Sequence, residues 1–467
     1  MYKPIRSQFL PLLLTVLCAA NLSAALATPA APDAFKSGDR WSVVGDSVTQ
    51  SGTYYAWVYL YYATRFPGLH LDVANCGISG DSASGALRRY PWDIQPKHGT
   101  VATIMMGMND VNRGLYSDAT PSPEILTRRA TALADYQTNM TKLAGLLKAD
   151  GARLIFMSPS PFDETVNLEV PRQTGVNGAL AECGKIITKL ASETGGTMVD
   201  LNGPMTALNL RLQAADPAFT LVGPDRIHPR APGHFVMAYF FLKAQNAPAD
   251  VSRVVIDAAS SRATQTDNAE VSGITHRDGG LEFKCLEKAL PYPVGNDVSP
   301  ALAWVPFTQD FNQEILRVTG LTSGTHTLFI DGEKISSYDA GKFASGINLA
   351  EISFTPQARQ ATQVLDLVRK WQALVSNGER GVAQVEHFVI KELPRPIDFN
   401  AAKPILEEKL AKLQGSDAHM DKYNSFIIKR YLDYKPKEAQ TQAQLTELAD
   451  QIRATAQPQA HVYRIVP

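Results

Sequence analysis

From residue 40 to about residue 247, short apolar runs alternate with segments whose apolar positions recur at helical spacing. The runs at 41–44, 69–74, 101–106, 154–157 and 197–201 read as strands buried on both faces. Between them, 130–149 and 179–192 carry apolar residues three and four apart and stop at Gly151 and at Gly195-Gly196. A glycine just past a helix supplies the left-handed turn that ends it. Residues 54–62 are dense in aromatics, with Tyr54, Tyr55, Trp57, Tyr59, Tyr61 and Tyr62, and read as a buried helix. Such a stripe can line a sugar site, but core packing is its commoner use. Strands alternating with helices of this length predict a parallel sheet covered on both faces.

After residue 247 the pattern changes. Stretches 282–294, 314–318 and 325–335 read as strands separated by turn residues, a small β-rich module of sandwich type. Helical periodicity returns at 356–375, 405–413 and 441–455. The chain divides into a leader at 1–27, an α/β domain at 28–247, a β-rich module at 248–345 and a mostly helical region at 346–467.

Composition narrows the partners. Hydrophobic residues are 45% of the 467 and charged residues 19%, as in a globular protein. A net charge of -1 without a dense basic run argues against nucleic acid as a partner. Lys3 and Arg6, the apolar stretch 9–20 and Ala25-Leu26-Ala27 have the three parts of a secretory leader cleaved before Thr28, which places the mature chain outside the cytoplasm. The apolar stretch is too short for a stable membrane span, and Leu17 before Cys18 argues against a lipoprotein. Cys76, Cys183 and Cys285 then remain; at most two of them can pair, and no Cys/His spacing fits zinc.

Four segments carry chemistry. Gly45-Asp46-Ser47 directly follows the run at 41–44, which puts a hydroxyl at the carboxyl edge of the sheet, where open α/β folds bind ligands. Residues 75–82 contain a second Gly-Asp-Ser, so Ser82 is a rival nucleophile; an ordinary strand-to-helix turn is its bland reading. Gly107-Met108-Asn109-Asp110 follows the run at 101–106 and by itself could be a helix cap. Asp225-Arg226-Ile227-His228-Pro229 could by itself be a surface loop. There is no GxSxG elbow, phosphate loop, dinucleotide fingerprint or calcium loop.

Taken in order over residues 40–245, these segments resemble the SGNH (GDSL-like) hydrolase family. Ser47 matches the Ser block, Gly80 the Gly block and Asn109 the Asn block; Asp225 and His228, three apart and followed by Pro229, match the last. Val48 stands where the family often has Leu. The resemblance implies a flavodoxin-like α/β/α sandwich and ester hydrolysis through an acyl-serine, with no metal and no organic cofactor. It gives Ser47, Asp225 and His228 catalytic roles. It also makes the backbone N–H groups of Ser47 and Gly80 and the side-chain amide of Asn109 the oxyanion donors. Ser82 is then left to its turn, Asp46 to tying down the nucleophile turn, and His234 to structure.

The substrate is open to several readings. A leader and an appended β-rich module favour an acylated polymer, with polysaccharide O-acetyl groups first. A broad short-chain or lysophospholipid-type esterase acting on small molecules is the alternative, as is a carbohydrate-binding protein that keeps the shell without turnover. The module from 282 to 335 is expected to grip a polymer, to wall the active site, or only to stabilise the first domain. The oligomeric state is left open.

Overall fold

In the computed structural model, residues 30–277 and 280–467 are described; the expected leader at 1–27 lies outside them. Five strands, β1 (Asp39–Gly45), β2 (Leu71–Gly77), β3 (Val101–Met105), β4 (Arg153–Met157) and β5 (Thr197–Val199), form one parallel sheet in the order β2-β1-β3-β4-β5. This is the flavodoxin-like order. Register is fixed by pairs such as Trp41 with Val101 and Val44 with Cys76. Helices cover both faces, as nearly unbroken strand hydrophobicity requires. They are α1 (Ser47–Gln50), α2 (Tyr54–Arg65), α3 (Ala83–Arg89), α4 (Pro123–Ala149), α5 (Val176–Thr194), α6 (Asn202–Gln213) and α7 (Ala231–Ala244).

The aromatic stripe of α2 is core. Its tyrosines and Trp57 are buried against α7 and beneath the later helix α10 (Pro356–Leu374), whose Trp371 lies 5.4 Å from the Tyr59 ring and 6.1 Å from Tyr55. Burying one such side chain contributes about 1.5–3 kcal/mol, so α10 holds the first domain's packing.

The β-rich module is a sandwich of two sheets. One holds β6 (Asp250–Asp257) and β7 (Arg262–Asp267), and the other β8 (Ala269–Arg277) and β9 (Gly280–Glu287). After α8 (Phe307–Phe311), β10 (Gln313–Thr319) joins the first sheet; β11 (Thr325–Ile330) and β12 (Glu333–Asp339) join the second; α9 (Ala340–Ser345) and β13 (Ile347–Asn348) follow. The sheet orders are β13-β10-β6-β7 and β12-β11-β14-β9-β8. Strand β14 (Ala460–Val466) comes after the helices α11 (Arg380–Phe388), α12 (Phe399–Leu413), α13 (His419–Tyr434) and α14 (Glu438–Thr455). The region from 346 onward is thus mostly helical, but its end returns to the middle of the module. Its strand signal, alternating burial at His461, Tyr463 and Ile465, is easily passed over in so short a segment. The strands β7 and β8 also escape sequence reading, because β7 is exposed throughout and β8 nearly so.

Arg65 joins the α/β domain to the module: its guanidinium donates to the carbonyls of Pro248, Ala249, Asp250 and Phe311. Cys76, Cys183 and Cys285 are all free and buried. No helix among the described residues is long and apolar enough to cross a membrane.

Candidate active site

Strand β1 runs into the nucleophile turn without a spare atom. A Cβ on Gly45 would fall 2.1 Å from Thr49 Oγ1, so only glycine lets the strand turn so closely into α1. Asp46 caps α1, accepting from the Val48 N–H at 3.0 Å. Burial pushes its carboxyl up to about 6, the Val48 hydrogen bond notwithstanding. Ser47 begins the helix, and its Oγ lies 2.8 Å from His228 Nε2.

The loop that carries the histidine is fixed from behind. Arg226 is buried with φ of 66°, a left-handed conformation uncommon outside glycine. Its guanidinium donates to the carbonyls of Asp163, Val166, Leu168 and Val170, which pins the loop. Asp225 Oδ1 accepts from the N–H groups of Ile227 and His228, each at 3.0 Å, and its Oδ2 accepts from His228 Nδ1 at 2.5 Å. A carboxylate only accepts, so Nδ1 carries the proton and Nε2 is left to accept from Ser47. Burial would raise the Asp225 carboxyl, but hydrogen bonds from the His228 ring and backbone and from Ile227 outweigh it and hold it well below the usual carboxylate range.

Gly80 and Asn109 line the same cleft as Ser47 and His228. Gly80 has φ of 84°, and a Cβ there would meet only the Phe388 ring, 4.0 Å away. Asn109 is held at both ends: Nδ2 donates to the Asp81 carbonyl at 2.7 Å and Oδ1 accepts weakly from Arg113 at 3.4 Å. One amide hydrogen stays available for a ligand.

The rival serine is elsewhere engaged. Ser82 caps α3, accepting from the Gly85 N–H at 3.4 Å, with Ser84 Oγ 3.0 Å away. His234 is buried and stacked 6.2 Å from the Tyr54 ring; burial, helped by the charge of His228, pushes it down to about 3. Burial also pushes Asp110 up to about 7 while it accepts from the Ala83 N–H.

The cleft encloses about 1190 Å³ and has two walls. One consists of the loops just described. The other comes from the C-terminal helices, through Phe388, Leu413, Met420, Tyr423, Phe426 and Ile427. Among the described residues the β-rich module contributes nothing to this lining, so its expected role as a wall is filled by helices α11 to α13 instead.

Buried charges lock the second wall to the first. Asp93 accepts from Arg89 at 2.6 Å and from both Nη atoms of Arg380 at 2.9 and 2.7 Å. Arg380 Nε donates to the Gly77 carbonyl, and Arg89 Nε to Asp81. The other Asp81 oxygen faces His387 Nε2 at 3.2 Å. Burial would raise Asp81, but His387 and Arg89 reverse it, so the carboxyl is lowered. Gln50, on the nucleophile helix, accepts from the Ser79 N–H and donates to Gln384 on α11. Sequence reading finds none of Asp93, Arg380, Gln384 and His387, because the contacts by which they join the two walls span hundreds of positions. A fainter sign does exist for α13: Tyr423, Ile427 and Tyr431 recur every fourth residue.

A serine, histidine and aspartate in this relation, at the carboxyl edge of a parallel sheet, are the arrangement of a serine ester hydrolase. Residues 43–235 match the GDSL-like lipase/acylhydrolase family. A gut microbial diltiazem-metabolizing enzyme, BT4096, is similar over nearly the whole molecule, with a TM-score of 0.86, 30% identity, and coverage of 94% of this chain and 99% of that one. An acetylxylan esterase of Geobacillus stearothermophilus is 25% identical over 222 residues, 44% of this chain and 94% of its own length. The chain belongs to the GDSL-like lipase/acylhydrolase family, the SGNH hydrolases, and is a carboxylic ester hydrolase.

Proposed function

We propose that Ser47 is the nucleophile of an acetyl esterase that acts outside the cytoplasm and forms an acyl-serine on a bulky acetylated substrate. The observation that carries this is the unbroken relay from Ser47 Oγ through His228 to Asp225, at 2.8 and 2.5 Å. As Ser47 attacks the ester carbonyl, His228 Nε2 takes its proton and Asp225 stabilises the imidazolium. The negative charge on the carbonyl oxygen is met by the N–H groups of Ser47 and Gly80 and the free amide hydrogen of Asn109. His228 returns the proton to the leaving alcohol, and water, activated by the same ring, releases acetate. Acetyl as the acyl group is supported by the acetylxylan esterase relative, whose match covers 44% of this chain. Polysaccharide O-acetyl groups are the first substrate class. A second reading, small apolar esters, is favoured by the apolar second wall and by the whole-chain likeness to a diltiazem-metabolizing enzyme.

The test is acetate release from acetylated xylan, from its oligosaccharides and from aryl acetates, with the Ser47→Ala protein alongside and mass spectrometry of the trapped acyl-enzyme. Acetylation at Ser47 supports the proposal. Turnover that survives Ser47→Ala overturns it. Cell fractionation of the full-length chain tests the location.

A further inference from the structure

The chain as a whole balances 45 basic against 46 acidic residues, but its cleft does not. Arg113, Lys409, Lys412 and Arg430 line it, and among the described residues no aspartate or glutamate does. Lys412 is matched by Glu408 on its own helix. Arg430 is the informative one. It is half-buried; its Nη atoms donate to the amide oxygens of Asn377 and Gln384, both neutral, at 3.3 and 3.2 Å. Its Nε is buried without an acceptor among the described residues. The Phe426 ring lies 5.1 Å from the guanidinium. A half-buried cation with only neutral partners is poorly compensated for the water it has lost. The position is also close to the chemistry: the Gln384 oxygen that accepts from Arg430 accepts equally from Gln50, three residues past Ser47. Around this charge the wall is apolar and open, with Phe388 42%, Phe426 56% and Met420 60% exposed.

We infer that the alcohol part of the substrate carries an anionic group, a carboxylate in the first instance, which binds Arg430 with help from Lys409, while its apolar face rests on Phe388 and Phe426. This rests on the esterase reading above and narrows its substrate class. Burial disfavours the charged form of Arg430, with the Tyr423 and Tyr434 phenols partly opposing that, so a bound anion also relieves the guanidinium. A carboxylate of this kind has two plausible sources, an acetylated uronate glycan and an acetylated aromatic acid.

Two matched pairs separate them. One is an acetylated galacturonate disaccharide and its methyl ester; the other is 4-acetoxybenzoate and its methyl ester. Acetate release from each gives an anionic-to-neutral ratio of kcat/KM, and comparing that ratio between proteins cancels the intrinsic reactivity of the esters. The ratio in the full-length protein should fall about tenfold in Arg430→Gln, as loss of one charge-assisted contact predicts, and less in Lys409→Gln. Arg430→Lys should recover part of it. Lys429→Gln, next on α13 but lining a separate depression, should not change it. The pair with the larger ratio identifies the source. Turnover of the esters with a ratio unchanged by Arg430→Gln in both pairs, or lowered as much by Lys429→Gln, overturns the anionic subsite alone. Failure of the wild-type chain to release acetate from any of the four overturns the acetyl-esterase reading and this inference with it.

Discussion

The two walls of the cleft are built on opposite plans. The wall that holds Ser47, Gly80, Asn109 and His228 consists of short loops at strand ends, each fixed locally: a cap on α1, glycines where no Cβ fits, and Arg226 behind the histidine. The helical wall is fixed at a distance. Its members meet the first domain through Asp93, Asp81 and Gln50, and its inner face holds exposed apolar side chains and cations. On the function proposed above, the first wall sets what reaction occurs and the second sets what is brought to it.

The sharpest break of this comparison is Ser47→Ala. If the first wall alone performs chemistry, kcat should fall by roughly 10⁴–10⁶, as for other serine nucleophiles, with thermal stability unchanged. Burst kinetics and a melt check both. Asn109→Ala should lower kcat by roughly 10²–10³ with little effect on KM, the sign of a donor used in the transition state; a change confined to KM would move Asn109 to the binding side. For the second wall, Asp93→Ala leaves Arg380 buried without a carboxylate partner and Arg89 with Asp81 alone, and should destabilise the protein by about 3–5 kcal/mol in denaturant titration. Because α11 then loosens over Gly80, turnover of bulky esters should fall more than that of p-nitrophenyl acetate.

The smallest effect concerns the module, which belongs to neither wall. Glu314 is fully buried beside Glu287, and burial, together with the charge of Glu287 and a hydrogen bond shared with it, pushes its carboxyl well above its ordinary value of 4.5. The folded protein therefore keeps a proton that the unfolded chain releases. That contribution is complete below the unfolded value and is lost as pH rises toward the folded one. Glu314→Gln should flatten the decline of melting temperature with rising pH and leave kcat alone. A wild-type melting temperature that climbs from pH 5 to 8 while the variant's stays level would refute this.

The catalytic wall was legible because its chemistry lies within short spans: Asp225 and His228 are three apart, and each glycine adjoins the residue it serves. The parallel sheet followed from the alternation of apolar runs and helical segments, its flavodoxin-like order from the family resemblance, and the aromatics of α2 from the rule that such stripes are core. The second wall was not legible. Arg380 pairs with Asp93 from 287 residues away, and no periodicity announces a partnership at that separation. Helix α11 is also masked by its own burial, since Arg380, Gln384, Glu386 and His387 give it polar residues on faces that turn inward. The free cysteines are likewise a matter of three-dimensional distance that spacing does not encode.

Strand β14 bears on the order in which the molecule can be made. In its sheet it lies between two hairpins, β8–β9 and β11–β12, and is hydrogen-bonded to both. The Tyr463 hydroxyl, on β14, donates to Glu287 across 176 residues of sequence. A ribosome making the chain from its first residue releases the whole catalytic triad long before this strand exists. Until then the module's second sheet is two hairpins without the strand that joins them, and the helices of the second wall lie in a loop not yet closed at its far end. Pairing so distant is slow to form. The residues of the catalytic wall are thus all made well before the strand that completes the sheet behind the second wall, so the two halves of the cleft need not mature together.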